Sequence, residues 1–164
     1  MYIIIPKTEK ALARGFQRCS RQKSFVEIEK ESYRDYQAEA LADLDSAVKE
    51  LKEGDVKWAI VKAYQALFSQ CTALLVKNLG LYSKDHSCLI LALLKHGLVR
   101  EETLKKISEL FKDRESLFEE INKLRLFRNK AMYFPKTQSK LALQEASNAI
   151  EETRKLIAIL SEEL

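Results

Sequence analysis

Arg128, Asn129 and Tyr133 are the residues of this chain best suited to chemistry. An arginine stays protonated and presents a planar fork of donors that fits two oxygens of a carboxylate or phosphate. An asparagine orients such a group, and a phenol donates a further hydrogen bond. The three stand in Phe127-Arg128-Asn129-Lys130-Ala131-Met132-Tyr133-Phe134, which closes a long amphipathic stretch. Within it Ile107, Leu110, Leu117, Ile121, Leu124 and Ala131 stand at intervals of three, four or seven and form one seam. Counted in sevens, Arg114 and Arg128 fall on the edge that begins with Ile107 and includes Ile121. Taking a guanidinium out of water without a partner costs several kcal/mol. Arg128 therefore requires an anion: a carboxylate, a cluster of carbonyls, or a phosphate from outside.

The charge around it points the same way. The chain has 164 residues and a formal net charge of +4, and residues 1–30 carry that whole excess, with seven Lys/Arg against three Asp/Glu. The other 134 residues balance at 21 against 21. Inside that neutral body, residues 121–144 hold Lys123, Arg125, Arg128, Lys130, Lys136 and Lys140 and no acid. A local positive field attracts anions, nucleic-acid backbones among them. Arg125, Arg128, Lys130 and Lys136 are thus the candidate phosphate-binding residues. The alternative is a solvated face balanced by acids of another helix, with Arg128 paired to a neighbouring carboxylate, Asn129 capping a carbonyl and Tyr133 filling the end of the core.

Other chemistries find little support. There is no Gly-rich phosphate loop, no paired-carboxylate site, and no Ser or Cys nucleophile beside a histidine. His86 and His96 are the only histidines and no zinc quartet can be assembled, so neither metal nor cofactor is expected. Cys19, Cys71 and Cys88 form no C-x-x-C pair; three thiols among apolar residues fit a reducing cytoplasm. The longest uncharged run, Ala63 to Val76, contains Gln65, Ser69, Gln70 and Thr72, and reads as a core helix rather than a membrane span. The apolar Tyr2-Ile3-Ile4-Ile5 is too short for a signal sequence, and can pair as a short strand or dock as an arm.

The elements that position these residues are helices. Hydrophobic residues make up 46% and charged residues 32%, with only four Gly and two Pro, a balance that favours an all-α protein. Residues 8–23 read as a basic amphipathic helix, with Lys10, Arg14, Arg18 and Arg21 on one stripe and Leu12, Phe16 and Cys19 on another; Gly15 weakens it. On the basic stripe the functional role is a second anion contact. Further helices are predicted over 33–52, 55–79, 85–96, 101–133 and 137–160, with Asp55 as an N-cap and Gly80 and Gly97 as stops. The helix over 55–79, counting Trp58, is apolar most of the way round and so central, and Pro135 ends the long one. The expected architecture is an up-and-down antiparallel bundle of four long helices and one short helix.

Taken in order, Ala63-Tyr64-Gln65-Ala66-Leu67-Phe68, then Gly80, Lys84-Asp85-His86, a short apolar helix, a long charged helix and Arg128-Asn129-x-x-x-Tyr133 resemble the HEPN-domain family of prokaryotes. The similarity spans about residues 33–160 and leaves residues 1–32 as an N-terminal extension to a bundle over 33–164. The family signature is an Arg followed, four to six residues on, by a His, often with a polar residue just after the Arg. Many members are metal-independent ribonucleases. They commonly dimerise so that two motifs face one cleft, and they are often encoded beside a small nucleotidyltransferase antitoxin. Carried over, Arg128 matches the Arg, Asn129 the polar residue, and Tyr133 stands where the His belongs.

That departure changes the chemistry. Imidazole titrates near neutrality and relays protons, whereas a phenol, with a pKa of about 10, stays protonated at pH 7. Geometry matters too: Arg128 and Tyr133 are about 140° apart around a continuous helix, so a break near Pro135 or a second protomer is needed to bring both to one phosphate. The resemblance implies RNA or nucleotide binding, with weak or lost nuclease activity. The alternative is a non-catalytic helical module whose basic surface docks an acidic partner protein. Arginines at alternate turns of the seam predict a homodimer with the carboxyl half of the long helix at its interface. Light scattering at tens of micromolar should give twice the chain mass, and a specific contact should bury roughly 1,200–2,000 Å² in total; a monomer would contradict it.

Overall fold

A helix that is apolar around its whole circumference must be enclosed on every side. In the computed structural model, which describes residues 5–110 and 136–164, that helix is α3 (Val56–Leu79), fully buried at Leu67, Leu74, Leu75 and Val76. Around it lie α1 (Glu9–Arg21), α2 (Tyr33–Lys52), α4 (His86–Lys95), α5 (residues 101–110 of the expected 101–133) and α6 (Lys136–Glu162). The fold is all-α, a helical bundle carrying one two-stranded sheet among the described residues. The remainder of the long helix, the break at Pro135 and the Tyr2–Ile4 segment lie outside the described residues. Ile5 packs on the core.

Local signals fix the ends. The Thr8 hydroxyl accepts from the Ala11 N–H at 3.2 Å and starts α1; Asp55 accepts from the Trp58 N–H at 3.2 Å and starts α3. Asp85 accepts from the Cys88 N–H at 2.9 Å and starts α4. At the far end of α3, Gly80 takes φ +64°, a left-handed conformation in which its N–H still reaches the Val76 carbonyl. A side chain there would also sit 3.1 Å from the Ile28 carbonyl oxygen. α2 folds back antiparallel on α3, with Lys62 bonded to Asp43 at 2.8 Å across the pair. α6 runs in the same direction as α3: Ile60 clusters with Ala146 toward one end, and the Gln70 amide donates to the Ser161 hydroxyl at 3.2 Å toward the other.

The inward stripes follow the periodicity. Ala40, Leu44 and Ala47 of α2 and Ala146, Ile150, Thr153, Ile157 and Leu160 of α6 are buried, and Leu104 and Ile107 of α5 are fully so. Trp58 is a correction: it is 52% exposed although the next two residues, Ala59 and Ile60, are buried, so it stands on a side of α3 that its neighbours leave open.

Residues 5–32 are closely joined to the bundle. β1 (Phe25–Glu27) pairs antiparallel with β2 (Leu81–Ser83) in the register Phe25↔Ser83, Val26↔Tyr82, Glu27↔Leu81. No strand was expected at either place, since three residues carry no usable alternation and only the long-range pairing stabilises them. α1 runs antiparallel to α4, and Gly15 is what permits the contact: an added Cβ would lie 3.1 Å from a Leu91 methyl. The glycine that weakens the helix as a sequence serves its packing.

The cysteine reading is corrected as well. Cys19 and Cys88 form a disulfide that ties α1 to the first turn of α4 across 69 residues of chain, and Cys71 alone remains a thiol. Both bridging residues are buried beside Leu91, which is why they looked like inert core thiols, and the argument from three thiols to a reducing compartment falls with it. Cys71 is wholly enclosed, and burial raises its pKa from 9.0 to about 12.

Cys19→Ser, or reduction, should lower unfolding free energy by about 2–4 kcal/mol in urea titrations, because a long loop is released in the unfolded chain. The oxidised native protein at pH 8 should show no thiol reactive to a chromogenic disulfide, and one after unfolding. Since the folded pKa of Cys71 is raised, its contribution to stability is complete below the unfolded value of 9.0 and is lost as pH rises toward about 12.

Candidate functional site

The predicted motif falls where side chains are not described: Arg125, Arg128, Asn129, Lys130 and Tyr133 lie outside the described residues, and Lys136 opens α6 with only its helical backbone described. The elements that flank the motif are anchored in the core. Ile107, which begins the edge on which Arg114 and Arg128 fall by sevens, is fully buried, and Ala146 and Ile150 bury the next stretch of α6.

Among the described residues, titratable groups converge at the first turn of α4. His86 follows the Asp85 cap, and its imidazole is hydrogen-bonded to the hydroxyl of Tyr64, a buried residue of α3. Its ring packs at 4.9 Å from the Tyr64 ring, edge to face, and at 4.3 Å from Phe68 one turn further along α3. Tyr64 and Phe68 are four apart on one face of α3, so together they make a two-ring seat for the imidazole. Lys84 stands exposed just before the cap, and the buried Ser83 hydroxyl holds the turn by donating to the Asp85 carbonyl at 2.7 Å.

This arrangement can pass a proton between a phenol oxygen and an imidazole nitrogen, and each partner fixes the orientation of the other. The sequence placed His86 beside Asp85 and singled out Lys84-Asp85-His86, but not Tyr64 as its partner. The available signal was Tyr64 and Phe68 four apart on one face of the most apolar long helix. Nearby, the Lys62 ammonium is committed to Asp43; the hydrogen bond and charge of that carboxylate raise its pKa. No group of three or more His, Cys, Asp or Glu side chains gathers among the described residues.

Comparison with known proteins adds the family. A family model described as HEPN domain matches residues 33–164, well over half of the chain. No curated protein matches it, and no solved structure does.

Removing the phenol hydroxyl tests whether the pair is a structural joint. Tyr64→Phe keeps both rings and should cost about 0.5–1.5 kcal/mol in urea unfolding, the net worth of one hydrogen bond. His86→Ala should cost more, since it also empties the seat on Phe68. Equal costs would show that the ring packing contributes nothing beyond the hydrogen bond.

Proposed function

The chain belongs to the HEPN-domain family, and from that membership we propose that it binds RNA or a nucleotide phosphate in the basic region around Arg128. On this reading it is a degenerate or weak metal-independent ribonuclease. The observation that carries it is the pairing of family membership with Arg128-Asn129 inside a stretch that holds six cations and no acid. Arg128 would hold charge on the phosphate and Asn129 would orient it. Tyr133 would stand where the proton-relaying histidine of the signature stands. A neutral phenol can donate to a phosphate oxygen but accepts a proton from a ribose hydroxyl poorly at pH 7, so binding outlasts catalysis.

The same reading assigns a homodimer that brings two motifs to one cleft, and a small nucleotidyltransferase as the partner protein of a two-gene module. The HEPN unit is residues 33–164, and residues 1–32 are an addition to it.

Fluorescence anisotropy and a metal-free cleavage assay test the proposal. Wild-type protein should bind RNA with strong salt dependence and cleave it barely or not at all. Tyr133→His should raise cleavage at least tenfold, toward the roughly 10²–10⁴-fold that general acid–base catalysis supplies. Arg128→Ala should abolish that cleavage and weaken binding, whereas Lys130→Ala should only reduce the salt slope. If Arg128→Ala unfolds the protein and no variant binds RNA, Arg128 is a core ion-pair residue and the proposal is wrong.

A further inference from the structure

Helix α1 lies outside the residues that match the family, and it carries a row of cations that no acid among the described residues pairs with. Lys10, Arg14, Arg18 and Arg21 follow one stripe, all exposed, and among the described residues no carboxylate pairs with any of them. The one acid of α1 is Glu9 in its first turn, where the helix dipole favours it. α4, packed beneath, has no acid at all within His86–Lys95 and adds Lys95, whose ammonium lies 5.4 Å from the Phe16 ring centre. An uncompensated stripe of this kind holds a standing positive potential, and an anionic partner is its natural complement.

Beside the stripe is a cleft. Pro6, Ala11, Arg14, Gly15, Arg18 and Leu91 line an open cleft of about 370 Å³ along α1 and α4. Its floor is apolar, because Gly15 has no side chain and Leu91 comes up against it. Two of its walls are guanidinium-bearing side chains, whose flat faces stack on aromatic heterocycles. The size suits a small planar group.

From these features we propose that α1 is a second nucleic-acid contact. The Lys10–Arg14–Arg18 row takes successive phosphates of a single-stranded RNA, and the cleft takes one of its bases. The inference rests on the reading of this protein as RNA-binding. The row advances about 6 Å per step of four residues, which is of the order of the distance between neighbouring phosphates along an extended strand. A duplex keeps its bases stacked inside and has none to offer the cleft; an acidic peptide matches the cations but lacks the flat ring that the arginine walls select. The helix is also held ready: the Cys19–Cys88 bridge and the Gly15–Leu91 contact fix it on α4, so little ordering is required when a strand binds.

The test uses the full-length oxidised protein and a labelled oligo-uridylate, with anisotropy followed across a salt series. Arg14→Gln with Arg18→Gln should lower the salt slope by about 1.4, two single-strand phosphate contacts, and weaken binding roughly tenfold or more at 0.1 M salt. Its unfolding midpoint should not move, since both side chains are exposed. Ala11→Phe, which fills the cleft and keeps every charge, should weaken binding without changing the slope. If wild type binds and Arg128→Ala weakens it while the Arg14/Arg18 variant titrates like wild type, the α1 contact is wrong and the proposed function stands. If wild type binds no RNA, both fall. Equal affinity for duplex RNA would overturn the base cleft. Equal affinity for poly-glutamate, lost equally in the double variant, would make the partner an acidic protein and overturn the assignment.

Discussion

Enclosure of α3 is the constraint on which the rest of this structure depends. Its side chains point into core on nearly every side, and each large aliphatic residue kept from water contributes about 1.5–3 kcal/mol. By length and composition this helix would also pass as a membrane span, but 78% of its most apolar window is buried inside the fold. Water is excluded by protein: α2 folds back along it, α6 runs beside it, and α4 packs on it and adds Leu89, Ile90 and Leu93 to the same core. Enclosure has a cost as well, since the Gln70 carbonyl oxygen and the Thr72 hydroxyl are buried without a hydrogen-bond partner.

The first turn of α4 is where the remaining restraints meet. Within four residues it holds the Asp85 cap, His86 with its tie to Tyr64 of α3, and Cys88 with its bridge to Cys19 of α1. Just upstream, β2 binds residues 25–27 as a second strand, and the Lys84 N–H donates to the Ser24 carbonyl at 2.9 Å. The amino-terminal segment is therefore fixed to the bundle twice, once by backbone hydrogen bonds and once by a covalent bond. A basic helix held in this way is a rigid surface rather than a tethered arm, and rigid cations lose less entropy on meeting an anion.

The chemistry turns on proton carriers. An arginine can neutralise a phosphate at any physiological pH, whereas cleaving RNA also requires a group that gains and loses a proton near neutrality. Tyr133 does not have that property in an ordinary environment. The imidazole that the described structure does place in a built setting, His86, is held against a phenol and a phenylalanine ring, an arrangement that restrains its motion as much as it supports proton transfer.

The sequence alone determined the helical class and the starts and stops of α2, α3 and α4 to within a residue, because each depends on local periodicity, a cap or a glycine. It also carried the family resemblance over about residues 33–160, which the family model matches over 33–164, since an order of motifs is a matter of residue type and spacing. It did not yield the Phe25–Glu27 and Leu81–Ser83 pairing, the partner of His86, the exposure of Trp58, or the bridge between Cys19 and Cys88. Those are meetings of segments far apart in the chain or, for Trp58, a matter of which side of a helix its neighbours leave open. Two buried cysteines read alike from sequence whether they face apolar neighbours or each other. Only the packing of α1 on α4, made possible by the absence of a side chain at Gly15, decides between them.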